Sequence, residues 1–264
     1  MTSRSAVPIT AAATLMLALF VGCGGKTGGA SVATSSPNVV IIFLDDVGYG
    51  DLGTYGHPTI RTPHVDRMAA EGVKLTGFNA ASPSCSPSRA GLLTGRYPVR
   101  AGIFWALGPE EENGIPAEEW MLSEALKERG YRTAAVGKWH LGSWPGLLPT
   151  EHGFDSFFGL LYSNDMIRPW VNTDRPLDLY RDTEPIEHPV DQATLTRRYT
   201  EESVRFIESS AAGDEPFFLY LAHSMAHVPL SRSPEFEGHS AGGKYGDVIE
   251  ELDWSVGQAR QALE

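Results

Sequence analysis

Cysteine is scarce in this chain. Its 264 residues hold two, Cys23 and Cys85. Two thiols exclude a disulfide-stapled fold and the four-cysteine type of structural zinc site. Cationic side chains are also in deficit, with 21 Lys and Arg against 33 Asp and Glu and a formal net charge of −12. That balance argues against a general nucleic-acid-binding face. It leaves room for an anionic substrate, because a few nearby charges set the field inside a pocket. No apolar run is long enough to cross a bilayer, and the run over 11–21 is short for that purpose. No internal repeat is visible, so nothing suggests a solenoid. What remains is ordinary for a globular protein: 42% hydrophobic and 20% charged residues, enough for one sizeable core.

The N-terminus reads as a targeting segment. Arg4 precedes the apolar run, in the manner of a signal h-region. The run ends in Phe20-Val21-Gly22-Cys23-Gly24, which resembles a bacterial lipobox with Phe where Leu is usual. The resemblance implies acylation of Cys23, export to the bacterial cell envelope (periplasm or outer membrane) and membrane contact only through the lipid anchor. An ordinary signal peptide with an incidental Cys is the alternative. The expected organisation is a leader over 1–22, a flexible Gly/Ser/Thr tether over 23–36 and one folded region over 37–264. With Cys23 taken, Cys85 is a lone thiol in an exported chain, which is unusual.

Further along, Asn38 to Leu44 is a continuous apolar, β-branched run, the pattern of a strand buried on both faces of a parallel sheet. It stops at Asp45-Asp46, with Gly48, Gly50 and Gly53 following. Thr62-Pro63 caps and opens a helix running to about Gly72, and residues 74–79 suit a short strand. A helix begins at Cys85, with Pro87 in its first turn and Gly95 at its end. Another over 120–129 stops at Gly130, before a strand at 131–136. Residues 143–192 are rich in Pro, Gly and Asp and read as long loops. A helix over 193–209, a buried strand over 216–222 and a helix over 245–264 complete the chain. The alternation predicts an α/β fold, a mostly parallel central sheet with helices on both faces. Sites in such sheets gather outside the carboxyl ends of the strands.

Polar clusters fall at those ends. Adjacent carboxylates after a buried strand are costly unless neutralised, and a hard divalent cation is the simplest partner for Asp45 and Asp46. Cys85 at a helix N-terminus sits where backbone N–H groups gather anions, with Arg89 one turn on. Lys138 and His140 share a strand-end loop, and i, i+2 spacing in extended chain would point them the same way. His227 precedes Pro229 after the next buried strand, and His223 reads as a packed core residue.

Cys85-Ser86-Pro87-Ser88-Arg89, followed by Leu93-Thr94-Gly95-Arg96, resembles the sulfatase signature. The stretch over 37–72 is similar to the sulfatase N-terminus, and Gly137-Lys138-Trp139-His140-Leu141-Gly142 resembles the second signature. The resemblance runs from Pro37 to Glu264, in the family's order. It implies an alkaline-phosphatase/sulfatase-like fold and hydrolysis of a sulfate ester, aryl or carbohydrate. A formylglycine-generating enzyme would oxidise Cys85 to formylglycine (3-oxoalanine). One hydroxyl of the aldehyde hydrate would attack sulfur, and the second would let the sulfated intermediate collapse and release sulfate. Calcium, rather than magnesium, would be held by Asp45 and Asp46 and would touch the modified Cys85. Lys138 and His227 would contact the sulfate, with Ser163 near it. His140 would hydrogen-bond the hydrated aldehyde, and Arg89 would counter charge.

One departure has consequences. The family's second acidic pair and a further Lys lie beyond the position of Glu264, and Glu250, Glu251 and Asp253 do not match them. The expectation is therefore the N-terminal part of a longer enzyme, inactive as this piece alone. Two alternatives stand beside it: a formylglycine-dependent phosphodiesterase or phosphonate monoester hydrolase, and a lipoprotein that binds sulfated ligands without turning them over.

Overall fold

In the computed structural model the described residues are 36–264. The leader, Cys23 and all but the last residue of the tether lie outside them. Six strands form one sheet: β1 (Val39–Phe43), β2 (Arg132–Lys138), β3 (Ser156–Leu160), β4 (Leu179–Arg181), β5 (Glu184–Glu187) and β6 (Phe217–Ala222). Their spatial order is β1-β6-β2-β3-β4-β5. The first four in that order run parallel, and β4 and β5 add an antiparallel hairpin. The apolar runs behave as both-face-buried strands should. Every residue of β6 is buried, and so are Thr133 to Lys138 of β2. β1 lies at the end of the order and is only half-buried along its length.

Among the described residues there are five α-helices: α1 (Pro63–Glu71), α2 (Cys85–Thr94), α3 (Leu122–Lys127), α4 (Leu195–Ala211) and α5 (Gly243–Leu263); α3 and α4 pack on the sheet, and α5 lies between α4 and α1. Leu195, Tyr199, Phe206 and Ile207 bury one stripe of α4. The strand expected over 74–79 does not form; that stretch has bends and no ladder partner. The loops expected over 143–192 hold β3, β4 and β5. Their strands are three to five residues long, too short for a period to show among the surrounding Pro and Gly.

The cap of α1 also differs from expectation. Thr62 makes no side-chain cap bond; its Oγ1 instead accepts from the Gly53 N–H at 2.8 Å. Asp253 of α5 takes the cap's place, accepting the N–H groups of His64 and Val65 at 3.2 and 2.9 Å. Glu250 and Glu251 likewise accept backbone N–H groups, from Arg61 and Ser233. The acidic residues of α5 are thus occupied with holding loops.

One backbone pinch fixes the strand end that carries Lys138. Gly137 (φ +110°) faces Gly159 of β3 and Ala222 of β6 in the ladders. A Cβ on Gly137 would stand 1.9 Å from the Ala222 carbonyl oxygen, and one on Gly159 would stand 1.8 Å from the Gly137 oxygen. Only glycine fits at either place.

Candidate active site

Because β1, β6, β2 and β3 run parallel, their carboxyl ends deliver Asp45-Asp46, His223–His227, Lys138–His140 and Ser163 to one rim of the sheet. The segments are stitched together there. The His223 N–H donates to the Phe43 carbonyl at 2.9 Å, and the Asp45 N–H to the Met225 carbonyl at 3.1 Å. Buried Asn164 reaches the Pro229 carbonyl at 3.4 Å, tying the Ser163 segment to the His227 loop.

The centre is a buried charge cluster. Lys138 Nζ donates to Asp45 Oδ2 and to Ser163 Oγ, the latter at 2.9 Å. Arg89 Nη2 reaches the same Asp45 oxygen at 3.2 Å, while Nη1 donates to the Lys138 carbonyl at 2.5 Å and approaches Tyr220 Oη at 3.4 Å. The guanidinium lies over the Phe43 ring, 5.4 Å from its centroid. Burial alone would raise the pKa of Asp45, but the charges of Arg89 and Lys138 outweigh it and hold the carboxyl below its usual value. Asp45 is therefore a carboxylate shared by two cations. Lys138 has used two of its three donors and keeps one.

Cys85 opens α2 as a half-buried free thiol. With Asp45, Asp46 and Ser88 it lines a cavity of about 740 Å³, walled by Tyr49 and Phe78 among others. His227 is a further neighbour of Cys85. Its hydrogen bond with Cys85 is the main cause that raises its pKa to about 9, against the opposing effect of burial. Nδ1 donates to the Val228 carbonyl at 2.6 Å, and Nε2 stands 3.7 Å from Asp46 Oδ2.

His140 does not follow its expected geometry. β2 ends at Lys138 and His140 adopts φ +58°, so the alternation of an extended chain lapses. The two side chains diverge: Lys138 meets Asp45, whereas His140 Nε2 meets the Leu107 carbonyl at 2.9 Å. Burial first, then the charges of Lys138 and Arg89, push the pKa of His140 well below its usual value. His223 is fully buried, with Nε2 3.0 Å from Ser255 Oγ, in keeping with the packing role read for it. Desolvation lowers its pKa to about 3. Sequence reasoning missed Tyr220 and Leu107. Tyr220 is one aromatic in an apolar strand, and Leu107 acts through its backbone, so neither carries a signal.

The donor set suits a hard cation only in part. Asp45 and Asp46 offer carboxylate oxygens at the cavity, the chemistry calcium takes. Among the described residues, however, no group of three or more His, Cys, Asp or Glu is placed to hold an ion. Calcium takes about six to eight oxygens, so these two carboxylates supply a fraction of a shell.

The sequence model of the Sulfatase family matches residues 37–264. With the cysteine-headed helix and the charge cluster at the rim of a parallel sheet, that places the chain in the sulfatase family. Among its relatives is the N-acetylgalactosamine-6-sulfatase of Canis lupus familiaris, 42% identical over 275 residues, covering 97% of this chain and 52% of that protein. Arylsulfatase A of Bos taurus is 38% identical over 273 residues, covering 95% and 51%. Among solved structures, the PsFucS1 sulfatase from Pseudoalteromonas sp. superposes with a TM-score of 0.75 at 31% identity, covering 86% of this chain and 52% of that one. The chain spans about half the length of the curated relatives it matches.

Proposed function

We propose that the whole protein hydrolyses sulfate esters at this rim. The observation that carries the reading is one cavity lined by both Cys85, at the head of α2, and the Asp45-Asp46 pair, backed by buried Lys138 and Arg89. In this reading Cys85 is matured to formylglycine, whose hydrate supplies a nucleophilic hydroxyl and a second hydroxyl for release of sulfate. Asp45 and Asp46 would hold a calcium ion, whose charge would favour a sulfate oxygen at the cavity. Lys138 turns its remaining N–H toward a sulfate oxygen, and the fixed charge of Arg89 favours an anion at the same place. His140, neutral at working pH, accepts a proton. His227, with Nε2 3.7 Å from Asp46 Oδ2, is the acid for the leaving alcohol oxygen. Acylation of Cys23 would tether the enzyme to the cell envelope.

Two measurements on full-length protein made with a formylglycine-generating enzyme test this. Mass spectrometry of the Cys85 peptide should show the aldehyde, and sulfate should be released from a panel of carbohydrate and aryl sulfates, both classes being named among the relatives. An unmodified thiol with full activity refutes the assigned nucleophile. Faster turnover of an aryl phosphodiester than of any sulfate ester moves the protein to the phosphodiesterase class.

A further inference from the structure

We infer that Ser86 is a positioning residue for His140, acting through the peptide groups on either side of Leu107. Ser86 follows Cys85 directly on α2 and is fully buried. Its Oγ accepts the Leu107 N–H at 3.0 Å. The carbonyl of the same residue stands 2.9 Å from His140 Nε2. A carbonyl only accepts, so Nε2 carries the proton and the neutral ring keeps its lone pair on Nδ1. That Nδ1 is buried and has no partner in the structure. A buried acceptor is normally satisfied, and one left open among the described residues is free to take a proton. The tautomer is thus set by a bond to Leu107, which a second bond ties to Ser86, the residue after Cys85.

The segment between them is braced to transmit position. Glu111 Oε1 accepts the Gly108 N–H at 2.9 Å, and its Oε2 lies 3.4 Å from Trp105 Nε1. Leu107 itself is buried. Movement of α2 at Ser86 therefore pulls on Leu107 and reaches the imidazole. The reading of His140 as proton acceptor belongs to the proposed function, and the coupling argued here rests on it.

The bond can be cut from both ends in the full-length protein. Ser86→Ala removes the acceptor; an amide-to-ester replacement at Leu107 removes the donor and leaves the Cys85 signature untouched. Mass spectrometry of the Cys85 peptide normalises each preparation for maturation. In matured protein we expect kcat on an aryl sulfate to fall about tenfold, the scale on which residues that orient a reacting group act. KM should stay within about twofold, because substrate binding is not the affected step. Nitrogen-15 NMR of the His140 ring should show the Nε2–H tautomer in the parent and loss of that single form in both variants. Unchanged kcat in both matured variants, a loss carried by KM alone, or an Nδ1–H ring in the parent overturns the inference. Failure of the parent to cleave any sulfate ester overturns the proposed function instead, and the NMR comparison still decides whether Ser86 sets the tautomer.

Discussion

Asp45 is the residue on which the site's electrostatics turn. A buried carboxylate with two cationic partners is stable only while all three are present, because removal of one leaves the others imperfectly compensated. Arg89→Met should therefore cost about 3 kcal/mol, read as a lower urea midpoint, with the Lys138–Asp45 contact left to carry the charge. The histidines add a pH dependence of opposite origin. His223, His140 and His152 all have lowered folded pKa values, burial being the first cause in each. Below about pH 6.5 the unfolded chain binds protons that the folded chain refuses, so stability falls with falling pH. For His223 the fall continues toward its folded value of about 3. Its share is about 1.4 kcal/mol per pH unit where only the unfolded form is protonated. Urea midpoints of wild type and His223→Asn between pH 6 and 4.5 should show the shallower slope in the variant.

At the level of elements, legibility followed length and periodicity. The long apolar run of β1, the fully buried β6 and the stripes of α4 and α5 were readable because burial on both faces, or on one helical face, leaves a pattern. Short β4 and β5 were not, since their pairing is decided by neighbours distant in sequence. The site divides in the same way. Its acids, cysteine, Arg89 and Lys138 stand in motifs, and the ends of parallel strands, with α2, bring them together. The turn of His140 away from Lys138 depends on one positive φ, which residue identity alone does not dictate. Gly137 shows how little freedom that strand end has. Gly137→Ala should destabilise by about 3 kcal/mol or more, through collision with the Ala222 carbonyl and the strained φ. Gly50→Ala, with nothing within 4 Å of its new Cβ, should change the thermal midpoint little by comparison.

At the scale of the whole molecule, the sheet has unequal margins. One margin is the polar β4–β5 hairpin, with Arg181 and Glu184 exposed. The other is β1, whose Val39-Val40-Ile41-Ile42-Phe43 backbone has strand partners on one side alone among the described residues. A half-exposed row of branched aliphatic side chains beside unladdered amides is a template for another strand. For the isolated 264-residue chain the consequence is mass action. Sedimentation velocity over a range of loading concentrations should show the weight-average coefficient rising with protein if that edge pairs, and staying constant if it does not.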